Sequence, residues 1–205
     1  MQELETEAIV CSLLVHGEHG AIVRMLTPGH GLVAAYVRGG RGRRMRPVLI
    51  PGNMVSVQLR SRTESQLPQA TIELAHSRAP ILGEPIPLAA VEWVTALVAS
   101  ALPERQPYPQ IHEAMAGLLD AVEAAPSAIG WAGALAQFER LLASELGYGS
   151  GTGSQDEGRA SNWPGILSAL EASERAIFDD VLSGRTESLK DSRGRLIDRL
   201  RRIGG

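Results

Sequence analysis

The fold of this chain is indicated most clearly by the segment GAIVRMLTPGHGLVAAYVRGGRGRRMR, residues 20–46. It holds two short apolar runs, 21–26 and 32–37, with the turn-forming residues Thr-Pro-Gly-His-Gly between them. Short runs of Val, Ile and Leu that are bounded by Gly and Pro are typical of β-strands. The stretch therefore predicts two strands joined by a turn and followed by a loop rich in glycine and arginine.

Similar runs lie on both sides of this pair of strands. One covers residues 7–15, and two more cover residues 54–59 and 70–75. Five short strands at close spacing suggest a small closed barrel, and the OB-fold has five strands. We therefore predict an α+β protein in which residues 1–80 form a five-stranded OB-fold β-barrel.

Beyond residue 80 the apolar residues recur at helical spacing. Helices are predicted over about 86–102, 111–122 and 127–146, and Ser127 is the expected N-cap of the third, which Gly147 is expected to end. These helices begin a predicted α-helical domain that covers residues 81–205.

The last third of the chain starts with a low-complexity segment. Residues 147–162 offer almost nothing to bury, which predicts a flexible loop. Two more helices are predicted over about 172–182 and 186–203. The last would turn Leu189, Leu196, Ile197 and Leu200 inward and carry arginines on its outer face, namely Arg193, Arg195, Arg199, Arg201 and Arg202.

Charge is distributed unequally between the two predicted domains. The whole chain has a formal charge of -3, but residues 1–80 hold nine Arg against six Glu, and the remaining residues are acidic. We expect the two domains to have different tasks, with the basic one meeting an anionic partner.

Several functional classes lack a sequence signal. Cys11 is the only cysteine, no leader peptide or membrane-length apolar run is present, and a cytoplasmic location is expected. The glycine runs lack the spacing and the lysine of nucleotide-binding loops, and no catalytic set can be assembled. His16 and His19 could be imagined around a metal with Cys11 or His30, but they are better explained as ordinary surface histidines of a turn. We predict no enzyme activity, nucleotide site, metal or cofactor.

Residues 38–46, which we call the arginine loop, carry the strongest functional signal. They hold five arginines and no acid in nine residues. Guanidinium groups bind phosphate oxygens bidentately, and glycines let the backbone approach a partner. The predicted nucleic-acid-binding residues are the arginines of this loop with three from the barrel: Arg24, Arg38, Arg41, Arg43, Arg44, Arg46, Arg60 and Arg62.

Other interpretations of the arginine loop stay open at this point. It suits an RNA-binding OB-fold factor equally well, or a protein-interaction module with an acidic partner, and basic runs are often only solvated. Tyr36 is the one aromatic residue near the loop, and we expect it to belong to the barrel wall rather than to a platform for bases.

Four short motifs carry a resemblance to a known family. They are Val37-Arg38-Gly39-Gly40-Arg41, Pro47-Val48-Leu49-Ile50-Pro51, Gln137-Phe138-Glu139-Arg140-Leu141-Leu142 and Leu146-Gly147-Tyr148-Gly149. In this order, over about the first 150 residues, they resemble the RecO family of DNA repair proteins. The resemblance implies an OB-fold barrel on a helical domain, acting as a recombination mediator in the RecF pathway. It further implies binding of single- and double-stranded DNA, annealing of complementary strands, association with RecR, and help for RecA in loading onto strands coated with single-strand-binding protein.

The chain departs from the family pattern in two places. Many members carry a four-cysteine zinc motif after the fourth of these motifs, and here that place holds the cysteine-free GSGTGSQDEG, so no zinc is expected there. The region after Asn162 is also shorter and less recognisable.

The resemblance also suggests a protein-docking site. The acidic C-terminal tail of single-strand-binding protein has an apolar end and needs an apolar pocket with a cationic rim. The candidate residues lie on the third and last predicted helices: Phe138, Arg140, Leu141, Leu142, Arg199, Arg201 and Arg202. For Phe138 and Leu142 a place in the core is the stronger expectation.

Overall fold

A computed structural model describes residues 2–61, 63, 66–148, 162–182 and 187–204. Its first part is a closed barrel of five strands in the order β1-β2-β3-β5-β4, as predicted. The strands are β1 Gln2–His16, β2 Gly20–Thr27, β3 Gly31–Val37, β4 Met54–Ser61 and β5 Gln69–His76. Four of the neighbouring pairs are antiparallel, and the ring closes through a parallel bridge between Tyr36 and Gln69.

The barrel core follows from the alternation of side chains along the strands. Every second residue of β2 and β3 points inward, so that Val23 and Met25 face Ala35 and Val33 while Arg24 and Tyr36 lie on the outer face. Cys11 is buried in β1, and this burial raises the pKa of its thiol to about 12.

In the described residues five α-helices follow, with a short 3-10 turn at Ala79–Gly83 before them. They are α1 Pro85–Ala101, α2 Pro109–Ala124, α3 Ile129–Glu145, α4 Trp163–Arg175 and α5 Glu187–Gly204. None of the described helices is long and apolar enough to span a membrane. The first three and the last lie where the apolar spacing predicts them.

Two predicted helix boundaries are wrong. The fourth helix begins at Trp163 rather than near residue 172, because the side chain of Asn162 caps it by accepting a hydrogen bond from Gly165 N–H at 2.9 Å. It continues past Arg175 as a π-helical segment, Ala176–Val181. Ser127 is not the side-chain cap of α3; the N-cap is Ala128, whose carbonyl accepts from Trp131 and Ala132.

The end of α3 agrees with the sequence. Gly147 adopts a positive φ of 87° just after the helix, the conformation that ends many helices. Its N–H and that of Tyr148 donate to carbonyls of the last turn. Most of the predicted flexible loop, residues 149–161, lies outside the described residues.

The chain separates into two compact units. The first comprises residues 1–83 with 95–112, and the second comprises residues 84–94 with 113–205. This differs from a single division after residue 80, because residues near the end of α1 and the connection to α2 pair with the barrel. Arg105 N–H, for example, donates to the Leu32 carbonyl at 2.9 Å.

A buried ion pair organises the second unit. Arg193 forms a two-pronged pair with Glu139, with N–O distances of 3.0 and 2.9 Å. Glu139 also accepts from Trp93 Nε1 at 2.7 Å and from the Ser173 hydroxyl. Burial alone would lower the pKa of Arg193, but its hydrogen bonds with Glu139 and the charges of Glu139 and Glu174 outweigh it and raise that pKa.

The prediction that Arg193 lies on the outer face of the last helix is therefore wrong. Its exposed fraction is only 2%, and it lies in one row with the buried residues Leu189, Leu196 and Leu200 of α5. Arg193 lies four residues after Leu189 and three residues before Leu196, and this spacing places it on the same inward face of the helix. The charge of Arg193 was the only reason to expect it on the outer face.

Candidate nucleic-acid interface

The arginine loop and the residues after it form a folded cap on the barrel. Successive turns are fixed by backbone hydrogen bonds, including Met45 N–H to Gly42 O at 3.0 Å and Leu49 N–H to Met45 O at 2.9 Å. Leu49 is only 2% exposed and packs with the barrel core, against which Met45 and Val48 also rest. The arginines are thus presented by a segment that shares the barrel core.

A single buried side chain fixes the end of this cap. Asn53 Nδ2 donates to the carbonyls of Pro47 and Val48 at 2.9 and 3.0 Å, and Asn53 Oδ1 accepts from Arg78 N–H at 2.8 Å. These bonds tie the segment before β4 to the segment after β5. This role of Asn53 was not predicted, and the turn dipeptide Gly52-Asn53 is the sequence signal that could have indicated it.

The two glycines that open the arginine loop have different roles. Gly39 has a φ of +70°, which favours glycine. At Gly40 a Cβ atom would lie 2.7 Å from Ala21 Cβ, so a larger residue would push the loop away from β2. The paired glycines therefore let the loop turn tightly over the end of the barrel.

All five arginines of the loop are exposed. Two of them also hold the loop together, since Arg41 Nη1 donates to the Glu18 carbonyl at 3.1 Å and Arg46 Nε donates to the Arg41 carbonyl at 3.2 Å. Within the described part of the chain, none of the five has a carboxylate partner. A cluster of unpaired guanidinium groups in a fixed backbone favours anion binding.

The structure brings one acidic residue to the loop that the sequence does not place there. Glu18, in the turn between β1 and β2, lines a cavity of about 360 Å³ together with His19, Arg41 and Arg46. Its carboxylate lies 4.0 Å from His19 Nε2. The expected absence of acidic neighbours therefore holds along the chain but not across the surface of the barrel.

The barrel arginines outside the loop are placed differently from the prediction. Arg24 donates to the carbonyl of Ala99 and forms an ion pair with Glu104 at 3.3 Å, so it is turned toward the α1–α2 segment. Arg60 forms an ion pair with Glu3 across β1 and β4 at 2.8 Å. Neither extends the unpaired charge of the arginine loop, because each already has a carboxylate partner; Arg62 lies outside the described residues.

A pair of aromatic rings lies beside the arginine loop. The rings of His16 and Tyr36 have centroids 5.9 Å apart and stand at 79° to each other. Tyr36 is on the outer face of β3, and its ring covers Gly20, where a Cβ atom would lie 2.4 Å from the ring. In the described residues no three His, Cys, Asp or Glu side chains come together as a metal site.

The predicted docking residues of the helical unit are only partly at the surface. Phe138 and Leu142 are buried in α3 at 2% and 0% exposure, so they belong to the core. Arg140 and Leu141 are half-buried. On α5, Arg199 donates to the Pro85 carbonyl at 2.7 Å, Arg201 pairs with Glu171 at 2.9 Å, and Arg202 is exposed.

Comparison with known proteins agrees with the two-part organisation of the chain. Residues 1–78 match the family model described as Recombination protein O N terminal, and residues 83–150 match Recombination protein O C terminal. The chain is 41% identical to a DNA repair protein RecO of Paracoccus denitrificans over 147 residues, which is 72% of this chain and 60% of that protein.

Further relatives give the same result. Identity is 40% over 153 residues with a DNA repair protein RecO of Rhodospirillum centenum, and 38% over 151 residues with one of Phenylobacterium zucineum. These matches cover 74% and 72% of this chain, and the chain spans about 60% of the length of these relatives. Because both family models match in order and over most of its length, this chain belongs to the RecO family.

Proposed function

We propose that this chain is a DNA-binding mediator of recombinational DNA repair that holds DNA phosphates on its arginine loop and performs no catalysis. The observation that carries the proposal is the arginine loop itself: five exposed guanidinium groups without carboxylate partners among the described residues, on a backbone anchored in the barrel core. Contacts of this kind bind the phosphate backbone and are insensitive to base sequence.

Strand annealing follows from the same surface. Cationic side chains that neutralise phosphates reduce the repulsion between two complementary strands, after which base pairing supplies the remaining free energy. The names of the relatives, DNA repair protein RecO, support a role in the same process. Assistance to RecA loading belongs to this proposal as an expectation from the family.

Protein partners are part of the proposal for the helical unit. We expect RecR and the acidic tail of single-strand-binding protein to associate with this chain. For the tail, Arg140 and Arg202 remain the available cations of the predicted set, since their side chains are at least partly exposed and have no partner within the described residues, whereas Arg199 donates to the Pro85 carbonyl. The half-buried Leu141 is the available apolar contact. Phe138 is removed from that set by its burial.

The test of DNA binding is a salt titration with a fluorescent single strand. Five phosphate contacts give a slope of log affinity against log salt of roughly -3.5 on a single strand and roughly -4.5 on a duplex. In the double variant Arg43→Gln/Arg44→Gln, whose guanidinium groups make no described contact, the single-strand slope should become less steep by about 1.4.

A control variant with the same change in net charge distinguishes binding at the arginine loop from a general effect of the charge of the protein. Arg175 and Arg195 are exposed on α4 and α5, and the double variant Arg175→Gln/Arg195→Gln makes the same change in net charge. It should keep the slope of the unmodified protein. Equal slopes for the two double variants, or an affinity independent of salt, would contradict binding at the arginine loop.

A further inference from the structure

The outer face of the barrel holds a groove next to the arginine loop. It has a volume of about 650 Å³ and is lined by both rings of the aromatic pair, His16 and Tyr36, together with His19, Arg38 and Leu67. Volumes of this size are typical of sites for small molecular groups. The groove adjoins the 360 Å³ cavity of Arg41 and Arg46, because Glu18 and His19 line both.

The strand register builds the aromatic wall of this groove. Tyr36 lies opposite Ile22 on β2, and Ile22 lies opposite Leu14 on β1, so an apolar row crosses three strands on the outer face. Leu14 is 65% exposed. The ring of Tyr36 lies against Gly20, which has no side chain to displace it, and this contact holds the ring in place.

The two rings form a corner because they stand at 79°. A flat aromatic group that enters the corner can stack on one ring while its own edge meets the face of the other ring, and both arrangements are favourable for aromatic pairs. Arg38 follows Tyr36 by two residues and lines the same groove, so a cation stands beside the corner.

The two neighbouring cavities differ in the chemistry of their lining residues. One is lined by arginines that suit a phosphate, and the other by rings that suit a planar base, with His19 between them. Successive nucleotides of a single strand present phosphate and base alternately, whereas bases of a duplex are already stacked and must be unstacked to reach a protein ring. The pairing of the two cavities therefore fits a single strand better than a duplex or an acidic peptide.

We propose that Tyr36 and His16 form a base-stacking site that gives this chain a preference for single-stranded over double-stranded DNA. This inference rests on the proposed DNA binding at the arginine loop and assigns a separate task to the groove beside it. The arginines supply affinity that depends on salt, and the aromatic corner adds affinity that salt leaves unchanged and that only unpaired bases can use.

The test compares Tyr36→Leu with Tyr36→Phe. The leucine side chain of the first variant still covers Gly20 but has no ring for stacking, whereas the phenylalanine of the second variant keeps the ring. Binding of a fluorescent single strand should weaken about 5- to 150-fold in Tyr36→Leu and stay near the original in Tyr36→Phe, while duplex affinity and the salt slope stay unchanged in both. A single strand that contains 2-aminopurine should show quenching with the original chain and with Tyr36→Phe, and little with Tyr36→Leu.

A second variant avoids dependence on the barrel wall. His16 is exposed, so His16→Ala leaves the core intact, and it should weaken single-strand binding about 2- to 12-fold through loss of the second aromatic ring. If the unmodified chain binds DNA with the expected salt slope, but Tyr36→Leu and His16→Ala both bind the single strand as tightly as it does, the stacking site is refuted and the proposed function stands. Equal losses on single strands and duplexes refute the stacking site as well. Failure of the unmodified chain to bind any DNA refutes both proposals.

Discussion

The buried pair of Glu139 and Arg193 allows a prediction of stability from geometry. Glu139 is fully buried and Arg193 almost so, and the other carboxylate partner of Arg193, the exposed Glu174, lies at the longer distance of 3.5 Å. Removal of Glu139 leaves the buried guanidinium of Arg193 with only this longer pair, and the loss of one partner of a buried ion pair costs about 3–5 kcal/mol. We therefore expect Glu139→Leu to lower the free energy of unfolding of the helical unit by about that amount. The same change removes the acceptor of Trp93 Nε1, which adds to the loss.

An exposed pair provides the control. Arg201 and Glu171 join α5 to α4 with the same N–O distance, 2.9 Å, but both side chains are about half exposed. Exposed pairs contribute about 0–1 kcal/mol, so Glu171→Gln should cost no more than that. The two variants thus compare pairs of the same chemistry and length that differ in burial.

The single variant Arg193→Met and the double variant Glu139→Leu/Arg193→Met complete a double-mutant cycle with Glu139→Leu and the original chain. Because the double variant removes both charges, it should be more stable than Glu139→Leu alone, and the interaction energy should reach about 2–3 kcal/mol. Urea unfolding followed by tryptophan fluorescence measures all four proteins, since Trp93 lies at the pair. A cost below about 1 kcal/mol for Glu139→Leu, or additive effects of the two substitutions, would refute the reasoning.

Two further predictions concern the barrel. Asn53→Ala leaves the carbonyls of Pro47 and Val48 and the N–H of Arg78 without their partner, so urea unfolding should show a loss of about 2–4 kcal/mol, and an effect below about 1 kcal/mol would contradict the anchoring role. The raised pKa of Cys11, about 12 in the folded state against an ordinary value of 9, means that folding disfavours the thiolate, so the stability tied to this thiol is present below pH 9 and is lost between pH 9 and 12. From pH 8.5 to 10.5 the original chain should lose about 2 kcal/mol more than Cys11→Ala, and equal losses would contradict burial of the thiol.

Local sequence patterns were sufficient to predict the strands of the barrel and most of the helices. The alternation along residues 20–37, with its glycine turn, predicts strands because each carries one inward face. The arginine loop was equally visible, because five like charges in nine residues need no tertiary context to be noticed. The start of α4 was missed, since its cap, Asn162, sits at the end of a segment that has the composition of a loop.

Sequence patterns are enough to predict that a barrel of strands precedes a set of helices, and that a cluster of cations follows the third strand. The ion-pair partners of the charged side chains are visible only in the tertiary structure. Arg24 pairs with Glu104, Arg60 pairs with Glu3, and Arg193 pairs with Glu139 in the core. These pairs join residues 54 to 80 positions apart, whereas periodicity reports only neighbours within a few turns or strands. A side chain's charge is written in the sequence, but its partner and its burial depend on how distant segments pack.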